Sequence, residues 1–122
     1  MIKSNFGINR AEHLKNPEPS MGIIDKKYFM LGEFSNLQDL NYLNEIVEEM
    51  EKVISGERER ERESYDFGYD MTIFVVENGR SYLWYGYPKE ELDVKFQDIY
   101  NLMKDWRDYI DKWEKETGLV KK

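Results

Sequence analysis

The chain has 122 residues, of which 35% are charged and 15% aromatic, with a net charge of −7, no cysteine and a single histidine. That length supports one hydrophobic core without covalent or metal staples. The absence of cysteine excludes a disulfide framework, a thiol nucleophile and a thiolate metal site, and the aromatic content argues against a disordered chain. The acid is concentrated: residues 35–56 hold one Lys/Arg and five Asp/Glu, and residues 57–77 hold three and seven, so this stretch carries −8. A nucleic-acid binder needs the opposite balance, whereas an acidic cluster steers basic partners toward it.

Residues 1–20 show no clean period. Asn9 is placed to cap a short helical turn over Arg10 to Leu14, and Pro17 and Pro19 stop anything longer, so a loosely held arm or a short edge element is expected. His13 lies here without an identifiable orienting partner, and a lone histidine is no metal site. The N-terminus lacks an apolar signal core and no segment approaches the length of a membrane span, which points to a cytoplasmic protein.

Ile23 to Phe34 reads as a covered strand, apolar on both faces at Tyr28–Leu31, with Gly32 marking a bulge. Ser35 and Gln38 match a capping box that opens the first helix. Its stripe is Leu37, Leu40, Leu43, Val47, Met50 and Ile54, and Gly56 ends it. The outer face carries Asp39, Glu45, Glu48, Glu49 and Glu51 against Lys52 as the only base, and so forgoes most of the i,i+4 pairs that lace an exposed helix. Glu57 to Glu63 alternates Glu and Arg, as a solvated connector or a charged edge strand. Tyr65, Phe67 and Tyr69 follow at period two.

Met71–Val76 and Tyr82–Tyr85, joined at Asn78-Gly79, form the clearest hairpin signal, because Asn-Gly tolerates the positive φ that a type I′ turn requires. Both faces are apolar, which leaves one aromatic face beyond what the chain's own helices cover. After Pro88 a second helix is expected, with Leu92, Phe96, Ile99, Met103, Trp106, Ile110 and Trp113 at alternating spacings of four and three and Gly118 as its stop. The elements predict an α+β fold in β-α-β-β-α order: an antiparallel or mixed sheet of three to four strands, with two helices on one face.

No phosphate loop, nucleophile elbow, zinc spacing or other catalytic signature is present, so neither an enzyme nor a cofactor is expected. Asp66 and Asp70 flank Gly68 and have the oxygens a divalent cation wants, but they read more simply as turn residues. A strand–NG–strand hairpin ending in LWYGYP, then a long aromatic helix, all after an acidic capped helix, resembles the small bacterial immunity proteins of polymorphic toxin and contact-dependent inhibition systems, over roughly residues 22–114. The resemblance implies a cytoplasmic protein that binds one cognate toxin domain, often a basic nuclease, and blocks it. The surface expected to do so comprises Asp39, Glu45, Glu48, Glu49, Asp66, Asp70, Tyr82, Trp84 and Tyr85. Two other classes fit the same residues: a homodimer or scaffold pairing its aromatic face with itself, and a small-molecule binder using a pocket between sheet and helices.

Overall fold

The computed structural model describes residues 2–10, 17–56, 65–69, 72–77, 79–86 and 89–118. Glu57–Glu63, His13, Asp70 and Asn78 lie outside them. The described chain is α+β with two antiparallel sheets. Strands β1 (Ser4–Asn9) and β2 (Glu18–Ile23) form a two-stranded ribbon, and β3 (Tyr65–Tyr69), β4 (Thr72–Glu77), β5 (Arg80–Gly86) and β6 (Lys89–Asp93) form a four-stranded meander in sequence order. Helices α1 (Leu40–Ser55) and α2 (Phe96–Thr117) pack against each other, and their buried stripes share one core with a single face of the meander.

The N-terminal residues are a hairpin and not a loose arm. Ile2 and Met21 are buried, and Phe6 meets the Trp106 ring edge-on at 5.2 Å. The alternation of Pro19, Met21 and Ile23 toward the protein is a period-two signal, and proline is tolerated because a two-stranded ribbon consists of edges.

The expected strand over Ile23–Phe34 is replaced by 3₁₀ turns over Lys26–Asn36, interrupted at Tyr28. Asp25 starts them, its carboxylate accepting from the Lys27 amide and its carbonyl from the Tyr28 amide. The apolar spacing here is three, not two: Leu31, Phe34 and Leu37 are buried, as the three-residue 3₁₀ repeat places them on one side, while Phe29 is 65% exposed.

The capping box also resolves differently. Asp39 caps α1 by accepting from the Asn41 amide at 3.0 Å. The Ser35 hydroxyl instead accepts from the Met21 amide, and the Gln38 amide donates to the carbonyls of Pro19 and Ser35. These two side chains tie β2 to the chain entering α1. The α1 core face is Leu43, Ile46, Val47, Met50 and Val53; Ile54 is half exposed, so the stripe is rotated from the one read in the sequence. Gly56 and Gly118 end the two helices in the left-handed region, as expected.

The second helix starts at Phe96, because Lys89–Asp93 pairs with β5 as a strand. In that register Leu92 sits opposite Leu83 on the inner face, while Glu91 and Asp93 turn outward to the Arg80 guanidinium at 3.3 and 2.8 Å. From Phe96 onward the stripe is as read: Phe96, Ile99, Met103, Trp106, Ile110 and Trp113 are all buried.

Glu77 pairs with Arg80 across a two-residue turn, and Gly79 sits at φ 73°. A β-branched residue is strained there, so Gly79→Val is expected to lower stability by on the order of 1 kcal/mol or more, read as a lower chemical-denaturation midpoint at unchanged slope. Gly68 has a different reason. A Cβ there would collide with the Thr72 carbonyl and the Ile73 backbone, so β3 and β4 approach closely only because glycine separates them. The closely packed strands bring Phe67 and Phe74 together, within an aromatic run from Phe34 through both to Phe96.

Candidate binding surface

The polar face of α1 is formed by residues three and four apart. Asp39, Tyr42, Glu45 and Glu48 are exposed there, and Glu49 is partly so. Glu45 and Glu48 make no ion pair with a described residue. Lys52, the base read on this face, reaches Glu49 at 3.5 Å. Glu51 accepts the Tyr100 hydroxyl at 2.7 Å and thereby joins the two helices.

At its N-terminal end α1 meets β2 and the edge strand β3, and a surface pocket of about 470 Å³ opens between them. Its walls include Glu18, Gln38, Asp39, Tyr42 and Tyr69. Burial raises the Tyr42 hydroxyl above its ordinary pKa, with Asp66 and then Glu45 adding to the effect and a hydrogen bond with the Gly68 backbone opposing it. Asp66 lies on the outer face by strand register, but its strand is the sheet edge, so its charge still reaches Tyr42.

The C-terminal end of α2 adds more acid. Burial, then Asp111, then Asp39 raise the Glu114 carboxyl above its ordinary pKa of 4.5, and Glu114 Oε2 is sealed from solvent with no hydrogen-bond partner among the described residues. A carboxyl whose pKa is raised by folding costs stability once it ionises. The cost is absent where it is protonated in both states and grows as pH rises past the ordinary value. Glu114→Gln is therefore expected to melt higher than the parent near neutral pH, with the advantage gone by about pH 4, as thermal unfolding across a pH series would show.

The structure separates the sheet residues from this surface. Tyr82 and Trp84 lie on the meander face opposite the helices, with Ile73 and Val75. That face is partly closed by its own side chains. Tyr82 is buried beneath the Arg80 guanidinium, 4.2 Å from the ring centroid, and its hydroxyl donates to Glu77 at 2.7 Å. Trp84, Ile73 and Val75 are half-buried. Tyr85 belongs to the inner face and is 6% exposed, so its ring has little surface to offer a partner. It lines a separate pocket of about 370 Å³ with Phe29, Met30 and Leu92, and its hydroxyl has no hydrogen-bond partner among the described residues. Asp70 lies outside the described residues.

Asp39, Glu45 and Asp66 thus gather around Tyr42, Glu48 and Glu49 extend the same helix face, and Tyr82, Trp84 and Tyr85 stand elsewhere. Sequence reading missed Tyr42, Tyr69, Gln38 and Glu18. Tyr42 had a signal: an aromatic residue on the polar face of an amphipathic helix, one turn before Glu45. Among the described residues no cluster of three or more His, Asp or Glu is placed to hold a metal ion, and no helix is long and apolar enough to cross a membrane. Comparison with protein-family models, with curated proteins and with solved structures finds no match to this chain.

Proposed function

We propose that the protein is a non-catalytic binding module that captures a basic protein domain, as the small bacterial immunity proteins of polymorphic toxin systems capture a cognate toxin. The observation that carries this reading is the convergence of Asp66 and Glu45 on Tyr42, with Asp39 in the same pocket wall and Glu48 making no ion pair with a described residue on the same helix face. An acidic patch speeds encounter with a basic partner, and exposed tyrosines supply contact area at low entropic cost. The aromatic outer face of the meander is a weaker candidate, because Arg80 already pairs with Glu91 and Asp93 across it and Glu77 already accepts from the Tyr82 hydroxyl.

The test begins with a partner recovered from the native cell and purified. Its association rate with this protein is expected to fall steeply as salt rises past the physiological screening length of about 8 Å. A tight partner that is neutral or acidic, or whose association ignores salt, would overturn the reading.

A further inference from the structure

Phe29 is the most exposed large hydrophobic side chain among the described residues, with 65% of its surface open. It stands on the 3₁₀ turns beside the groove of about 370 Å³ whose other side is β6, an edge strand of the meander. The groove has two unlike banks. The turns supply Lys26, Lys27 and Phe29, and the strand supplies Glu90 and Glu91. Between them the lining is apolar: Met30 and Leu92 are half-buried, and Tyr85 is buried. An exposed ring next to an apolar groove marks an interface.

The charges select what covers it. Lys27 lies over the Tyr28 ring, 5.4 Å from its centroid, and Glu91 is held by Arg80. Lys26 and Glu90 are exposed, and neither makes an ion pair with a described residue. A basic domain would meet repulsion at the lysine bank and an acidic one at the glutamate bank, whereas a second copy of the chain meets neither. A two-fold axis along the groove turns the lysine bank of each copy onto the glutamate bank of the other. The same rotation brings each Phe29 over the other copy's groove. An isologous contact uses every feature twice, so it needs a knob, a groove and both signs of charge on one patch, and this patch has all of them.

We infer that this face is a homodimer interface, in which Phe29 of each copy enters the groove of the other and Lys26 of each pairs with Glu90 of the other. The interface lies at the β6 edge, not on the Trp84 face of the meander. It shares no residue with the acidic face of α1, so self-association and the capture of a basic domain are separate properties.

Sedimentation velocity of the full chain at low salt tests this. A concentration-dependent monomer–dimer equilibrium is expected, with a dissociation constant on the order of 10 μM. Phe29→Ser changes a side chain that the fold leaves open, so it is expected to keep the parent's circular dichroism spectrum and to weaken the dimer by at least about tenfold. Lys26→Glu and Glu90→Lys are each expected to weaken it by about tenfold, because like charges then face each other at both symmetric contacts. An equimolar mixture of these two variants is expected to associate about as tightly as the parent, since both contacts of the mixed dimer again join opposite charges. A chain that stays monomeric at every concentration, or a dimer that survives Phe29→Ser, would overturn the interface. So would a mixture that associates no better than its components. A monomeric chain that loses its basic partner on Phe29→Ser would assign the groove to that partner, overturning the dimer and leaving the proposed function standing.

Discussion

Trp106→Ala is expected to lower the unfolding free energy by roughly 3–5 kcal/mol, the range for large aromatic truncations in cores. Trp106 has no exposed surface, stacks with Tyr109, meets Phe6 edge-on and donates its indole N–H to the Leu37 carbonyl at 2.8 Å. Alanine there opens a cavity between the N-terminal hairpin and α2 and also orphans a buried carbonyl. Since domains of this size hold about 5–15 kcal/mol in all, the variant is expected at the margin of folding. Trp106→Phe separates the two losses: it keeps most of the ring packing and loses the hydrogen bond, for about 1–3 kcal/mol. Urea denaturation of the three proteins is the measurement. A Trp106→Ala chain with the parent's midpoint would show that the interior is not packed around this side chain.

The second large effect concerns binding. Glu45→Lys with Glu48→Lys is expected to reduce the association rate with a basic partner by about tenfold or more at low ionic strength, and by progressively less as salt screens the surface. Glu45 and Glu48 are the residues to reverse because neither pairs with a described basic group, so the change disturbs no ion pair described in the fold. Glu49 is left alone: a lysine there would lose the contact with Lys52 and face it as a like charge. Stability should change little, and thermal melting of the variant checks this. Parent-like melting combined with parent-like association would make this face of α1 a solubility feature.

Much of the fold was legible in residue spacing. The α2 stripe, the glycines that close both helices and the two-residue hairpin turn follow from local rules that tertiary packing did not override. The misreadings have physical causes. Around Leu31 and Phe34 a three-residue repeat was taken for a strand, because a short apolar run does not reveal its period. At Lys89–Asp93 the acidic residues suited a helix N-terminus, yet Arg80 across the sheet draws them into a strand, a partner that no local window contains. Ser35 and Gln38 have the spacing of a capping box, but β2 offers them better hydrogen bonds. The acid of α1 was read correctly as a face, whereas its meeting with Tyr69 and Gln38 depends on the docking of β2 and β3 beside the helix. Strand alternation already places Tyr82 and Trp84 opposite Tyr85, as the sheet register shows, so the three cannot form one surface although the sequence reading lists them together.

The contact between Phe6 and Trp106 also bears on when the chain can fold as it is made. The meander closes through short turns between neighbouring strands, at little loop-closure cost. Phe6 of the hairpin, the Leu37 carbonyl and the apolar stripe of α1 find partners on α2, which lies C-terminal to all of them. During synthesis these apolar surfaces of the N-terminal half therefore stay incompletely covered until α2 has emerged. Their full burial is deferred until α2 is made, and nascent chains need shielding from one another until then.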